Sequence, residues 1–143
     1  SLVAIAAMGV VAFYQTGIIR HLPQPPIPGL DSDKVDAAPE AYERLAAPDA
    51  TLAVGSYAAT LVLAAMGSKQ RARHQPWLPL VLAGKVGFDL AQIIRMVRVQ
   101  WGKYRALCFW ALISGVATVA SFPLVFREAR AAVREIGNPG EPD

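Results

Sequence analysis

Charge is what this sequence has least of: Asp, Glu, Lys and Arg make up 17% of its 143 residues, against about 25% in an ordinary soluble domain. Cysteine is nearly missing. Cys108 stands alone, which excludes an internal disulfide and any multi-cysteine metal site. Histidine occurs twice, as His21 after the first hydrophobic run and His74 after the second. Alternating topology puts the two on opposite membrane faces, and neither has a second ligand at metal-binding spacing. We therefore expect no metal and no haem. An initiator methionine is also missing before Ser1, which predicts that the native chain starts further upstream.

What is present in quantity is apolar surface, at 54% of residues. That content excludes a disordered chain, and the length leaves no room for a second globular domain. Four spans of about 20 residues each would absorb most of it. The fold class expected is an all-α membrane protein, a four-transmembrane-helix bundle forming one domain over residues 1–143. The runs lie at about 2–19, 51–67, 77–94 and 106–126. The first lacks a small-x-small cleavage site before polar sequence, so it reads as a retained span and not a signal peptide. Only the third carries charge, at Lys85 and Asp89.

Between the first two spans lies a cap, residues 21–50, too long for a simple hairpin between helices. It opens with HLPQPPIPG, whose four prolines favour extended backbone. PEAYERLAAP at 39–48 has Tyr42, Leu45 and Ala46 at helical spacing, which predicts a short amphipathic helix lying at the interface. A polar tail from Arg127 frays into GNPGEPD. The loop from Arg20 to Ala50 holds six acids against three bases, whereas SKQRARHQP at 68–76 has Lys69, Arg71 and Arg73 and no acid. The basic joint reads as cytoplasmic, together with both termini, and the cap as extracytoplasmic. Arg95, Arg98, Lys103 and Arg105 violate that pattern, and pairing with the acidic cap would offset the violation. The net charge of +3 and pI near 9.3, with bases beside hydrophobic runs, point to lipid headgroups or partner subunits, not to nucleic acid.

Several features have a packing explanation. Gly55 with Ala59, Ala111 with Gly115, and Ser114 with Thr118 allow close helix approach. Trp77 and Trp101 sit at span ends as interfacial anchors, and Pro123 is expected to bend the last helix. Lys85 and Asp89, one turn apart inside a span, neutralise each other facing the bundle interior, or serve a proton relay or a ligand. Cys108 opens the last span in ALCFWALISG.

The sequence CFWA at 108–111, followed by SFPLVFREARAA at 121–132, is similar to the final helix of the vitamin K epoxide reductase family, which carries C-x-x-C there. PDATLAVGSYAATLVLAAMG at 48–67 resembles that family's second helix, and IRHLPQPPIPGLDSDKVDAA resembles the first loop of its small bacterial members. The resemblance implies a four-helix bundle in the bacterial inner membrane, enclosing a quinone headgroup beneath the cap. Its chemistry passes electrons from thiols to a quinone. On matching positions it implies a quinone pocket at Asp49, Tyr57, Ala111 and Gly115, with Cys108 as the thiol. The second motif cysteine is Ala111 and the cap has none, so the family's two-thiol route has no resolving thiol here. Two readings stay open. The first is a redox-degenerate quinone- or lipid-binding or assembly subunit of a larger membrane complex. The second is a thiol oxidoreductase in which Cys108 works with a partner's cysteine, aided by a helix opening that favours thiolate.

Overall fold

The computed structural model describes residues 1–42 and 49–137. Each hydrophobic run becomes a helix: α1 (Leu2–Gln15), α3 (Asp49–Ala65), α5 (Trp77–Val99) and α6 (Phe109–Gly137). Two short helices lie in the connections, α2 (Ser32–Asp36) in the cap and α4 (Arg71–His74) in the basic joint.

The helix ends differ from the hydrophobic boundaries for local reasons. α1 stops at Gln15, short of Ile19, because Gly17 takes φ +79°. That left-handed glycine turns the chain so that Ile18 N donates to Phe13 O at 2.8 Å and Gly17 N to Tyr14 O at 3.0 Å, the paired closure of a Schellman stop. The end of α3 is closed from outside, by the guanidinium of Arg71 donating to the carbonyls of Leu63, Ala64 and Met66. α5 runs five residues past Ile94 and widens into a π-turn at Gln100–Tyr104, which Arg105 ends at φ +51°.

Arg127 and the residues after it do not form a frayed tail. α6 continues through Pro123 to Gly137. The polar half is held against α4 by the Arg71–Glu128 ion pair and by Arg73–Glu135 at 3.5 Å. Residues 138–143, the end of the GNPGEPD segment, lie outside the described residues. The amphipathic helix expected over 39–48 appears as a 3-10 turn at Pro39–Tyr42, and its remainder lies outside the described residues.

The cap is tied down at the mouth of α6. Leu107 N donates to Gly29 O at 2.9 Å and Asp31 N to Leu107 O at 3.1 Å, a one-residue parallel bridge. The indole of Trp110 donates to Pro23 O at 2.9 Å. Asp31 caps α2 by accepting from Lys34 N at 3.0 Å. Beneath this lid, Ala4, Met8 and Val11 of α1 pack with Val35, Ala50, Tyr57, Ala106 and Ala111 in one core cluster.

Large apolar side chains also point outward, among them Val62 on α3, Phe88 on α5 and Val116, Val119 and Leu124 on α6. Such exposed apolar surface is unfavourable in water and favourable in lipid. Among the described residues one helix, Phe109–Gly137, is both long and apolar enough to cross a membrane, while Leu2–Gln15 and Asp49–Ala65 are apolar and shorter.

Candidate functional site

Under the cap the helices leave a cavity of about 490 Å³, within the size range of small-molecule pockets. Its wall is mostly apolar, from Met8 and Val11 of α1, Ala53 of α3 and Met96 of α5. Polar groups enter at a few points: Asp36 from the cap, Asp49 and Tyr57 from α3, and Gln92 and Arg95 from α5.

Three of the four positions proposed for a pocket, Asp49, Tyr57 and Ala111, line this cavity. Asp49 stands in the first turn of α3 and Tyr57 two turns further along, buried to 6% exposure. Gly115 falls outside the wall. A Cβ at that position would meet Ile93 Cγ2 at 3.2 Å, so its missing side chain serves the close approach of α6 to α5.

Cys108 is not in the wall either. It sits one residue ahead of α6, at 0% exposure. Its N–H donates to Gln100 Oε1 at 3.3 Å, and its Sγ accepts from Ala111 N at 3.4 Å. Asp36 and Ser32 lie beside its side chain. The helix opening was expected to favour thiolate, and the surroundings do the reverse. Burial first, then the charge of Asp36 and the hydrogen bond to it, push the thiol well above the usual cysteine range.

Asp36 is the less obvious member of this group. It closes α2 with its side chain turned inward at 9% exposure, and burial pushes its carboxyl up to about 6. Asp33 and Asp49 add to the rise, while the thiol of Cys108, donating to the carboxylate, opposes it. Gln15 ties two strands of the site together. Its Nε2 donates to Asp36 O at 3.3 Å, and its Oε1 accepts from Ala50 N at 3.1 Å. Ser32, also at 0% exposure, accepts from Phe109 N at 3.0 Å.

On the other side of the cavity Lys85 and Asp89 meet as their spacing predicts. Lys85 Nζ lies 2.6 and 2.7 Å from the two carboxylate oxygens. α3 supplies the rest of the cluster. Ser56 Oγ donates to Asp89 Oδ1 and Thr60 Oγ1 to Asp89 Oδ2, both at 3.1 Å, and Lys85 Nζ donates to Ser56 Oγ at 2.9 Å. Ser56 and Asp89 belong to the cavity wall.

The sequence signal had passed over Asp36, Ser32, Gln15, Gln100, Ser56 and Thr60. Hydroxyls one turn apart in the second span, facing a charged span, were the one sign available for the last two. His21 lies on the cap surface, 3.0 Å from Asp33. Among the described residues no group of three or more His, Cys, Asp or Glu could hold a metal ion.

A helical, membrane-associated protein with an apolar cavity beneath a loop is the class that this architecture defines. The chain belongs to the vitamin K epoxide reductase family, whose model matches residues 1–126, from α1 through the apolar half of α6. The family's general function is redox chemistry involving quinones. No curated protein and no solved structure matches the chain. The cavity fits a quinone headgroup by two features: its volume, and side chains able to donate to a carbonyl, Tyr57, Gln92 and Arg95, in an otherwise mostly apolar wall.

Proposed function

We propose that the protein is a redox-degenerate member of its family, a four-helix membrane bundle that binds a quinone or lipid headgroup in the cavity and serves as a subunit of a larger membrane complex. The observation that carries this reading is the state of Cys108. It is the only cysteine in the chain, it is sealed from solvent, and it lies outside the cavity wall. Two-electron exchange between thiols and a quinone needs a second sulfur to close a disulfide, and the chain has none.

α1, α3, α5 and α6 are the four spans in this proposal, supported by the outward apolar side chains on α3, α5 and α6 and by the enclosed Lys85–Asp89 pair. Asp49, Tyr57 and Ala111 would line the headgroup site, and a quinone bound there would supply carbonyl oxygens for hydrogen bonding. Orientation follows the basic joint, with the termini cytoplasmic, in a bacterial inner membrane.

Purified protein should show no dithiothreitol-driven quinone reduction above background. Ala111→Cys, which puts a second thiol one turn from Cys108 and in the cavity wall, should gain measurable turnover. Robust turnover by the unmodified chain, abolished by Cys108→Ser, would overturn the proposal. That outcome would favour the second reading, a thiol oxidoreductase in which Cys108 and a partner's cysteine are oxidised to a mixed disulfide while their two electrons and two protons reduce the quinone to its quinol.

A further inference from the structure

The polar half of α6 sorts its charges by face. Arg127, Arg130 and Arg134 are all exposed, and at about 3.6 residues per turn their spacing brings them within about 60° of arc on one side of the helix. Glu128 and Glu135 lie roughly a third of a turn away, on the side that meets α4, where Arg71 and Arg73 pair with them. Ala129 and Ala132 are buried beside them. The acids of this half are thus engaged inside the molecule, while its three arginines face outward with no acidic partner among the described residues.

The arginine face continues an apolar one. Val116, Val119, Phe122, Leu124 and Phe126 are exposed along the preceding turns of the same helix, the one that is long and apolar enough to cross a membrane. Phe122 stacks on Phe126 with ring centroids 5.6 Å apart, and the guanidinium carbon of Arg130 lies 4.8 Å from the centroid of Phe126. That cation–π contact holds Arg130 where the apolar surface ends. Helix side chains tilt toward the N-terminus of their helix, which for α6 is the apolar half, so the arginines lean back toward the membrane. Arg127 and Arg130 differ in height by about 4.5 Å, within a headgroup layer of about 5–7 Å on each side of the hydrocarbon core.

We propose that Arg127, Arg130 and Arg134 form a binding site for the phosphodiester headgroup of an anionic phospholipid, whose acyl chains lie along the exposed apolar side chains of α6. Charge and position select this occupant. A second copy of the chain on the same face would set three arginines against three, and a zwitterionic lipid brings its own cation into the layer. An anionic phospholipid supplies phosphate oxygens, which suit the planar fork of arginine, at the level where the arginines stand. The inference rests on α6 crossing the bilayer and involves neither the cavity nor Cys108.

The test uses the full chain, purified in a mild detergent with equimolar phosphatidylglycerol and phosphatidylcholine of different mass, and native mass spectrometry counts the lipids that stay bound. Phosphatidylglycerol should be retained over phosphatidylcholine by about fivefold or more, the factor that one arginine beside an anionic surface supplies. Arg127→Gln, Arg130→Gln and Arg134→Gln combined should lose most of that preference, whereas Arg98→Gln, in the last turn of α5 at the other end of the bundle, should leave it in place. Because a triple substitution risks unfolding the helix end, hydrogen exchange of the unmodified chain in nanodiscs of each lipid gives a second reading. Amides of residues 127–137 should exchange more slowly with phosphatidylglycerol, and those of α1 should not change. Equal retention of the two lipids, a preference that survives the triple substitution, or exchange that does not differ between the lipids would overturn the site. Dimers in the same spectra that the triple substitution abolishes, without any lipid preference, would overturn it in favour of a second copy of the chain.

Discussion

Burial makes both Asp36 and Cys108 less willing to ionise, while the contact between them opposes the rise at the carboxyl and adds to it at the thiol. The folded protein holds the proton on Asp36 to about 6 against an ordinary 3.8, so the group is bound more tightly to its proton in the folded state than in the unfolded one. The sign follows: its contribution is fully present below the unfolded value, and stability is lost as pH rises through the folded value. The two values lie about two pH units apart, worth at most about 3 kcal/mol at about 1.4 kcal/mol each. Asp36→Asn should therefore gain stability over the unmodified chain by about 2–3 kcal/mol at pH 8, with the difference closing below pH 4. Thermal unfolding in detergent at both pH values measures it, and a difference that does not vary with pH would mean that Asp36 is not held in its protonated form. The sequence shows Asp36 as one of six acids in an irregular loop. Nothing in periodicity marks an acid as buried when the helix that buries it is five residues long.

Elements were legible where the signal was a run of apolar residues and poorly so where a single contact ended the run. α1, α3, α5 and α6 each coincide with a hydrophobic stretch, but their ends depend on Gly17, on Arg71 reaching back to α3, and on Arg105. The extension of α6 depends on ion pairs to residues more than fifty positions away. The Lys85–Asp89 pair was legible from spacing because both partners lie on one helix, whereas Ser56 and Thr60 come from α3 and join only through packing. That cluster makes α3 and α5 depend on each other. Asp89→Ala leaves a partly buried ammonium with only two hydroxyl partners, and should cost about 3–5 kcal/mol. The double change Lys85→Leu with Asp89→Ala should recover most of the loss, since no unpaired charge is then left between α3 and α5. Equal damage from the single and double variants in unfolding experiments would mean that the pair does not act as a unit.

Across the whole molecule, the two ends of the bundle carry different chemistry. One end holds α4 against the polar half of α6 through Arg71–Glu128 and Arg73–Glu135, so the basic joint and the end of α6 share a face. The other holds the cap against the segment before α6 through the Leu30–Leu107 bridge and Trp110. The pairing also uses up part of the positive charge of the joint from which orientation was read, leaving Lys69 as the least encumbered base there. The bias that sets topology acts during insertion, before these pairs form, so the joint still counts as basic. The expected outcome is a joint in the cytoplasm and a cap outside. Ser68 and Ile27 are both exposed, one in the joint and one in the cap. In a Cys108→Ser background, a cysteine at Ser68 should resist a membrane-impermeant thiol reagent in intact cells and react once the cells are opened. A cysteine at Ile27 should react in both. Labelling at Ser68 with protection at Ile27 would invert the bundle and put the cavity mouth on the cytoplasmic face. Reaction of both sites in intact cells would show that no membrane separates the two ends, and the four-span arrangement would fail with it.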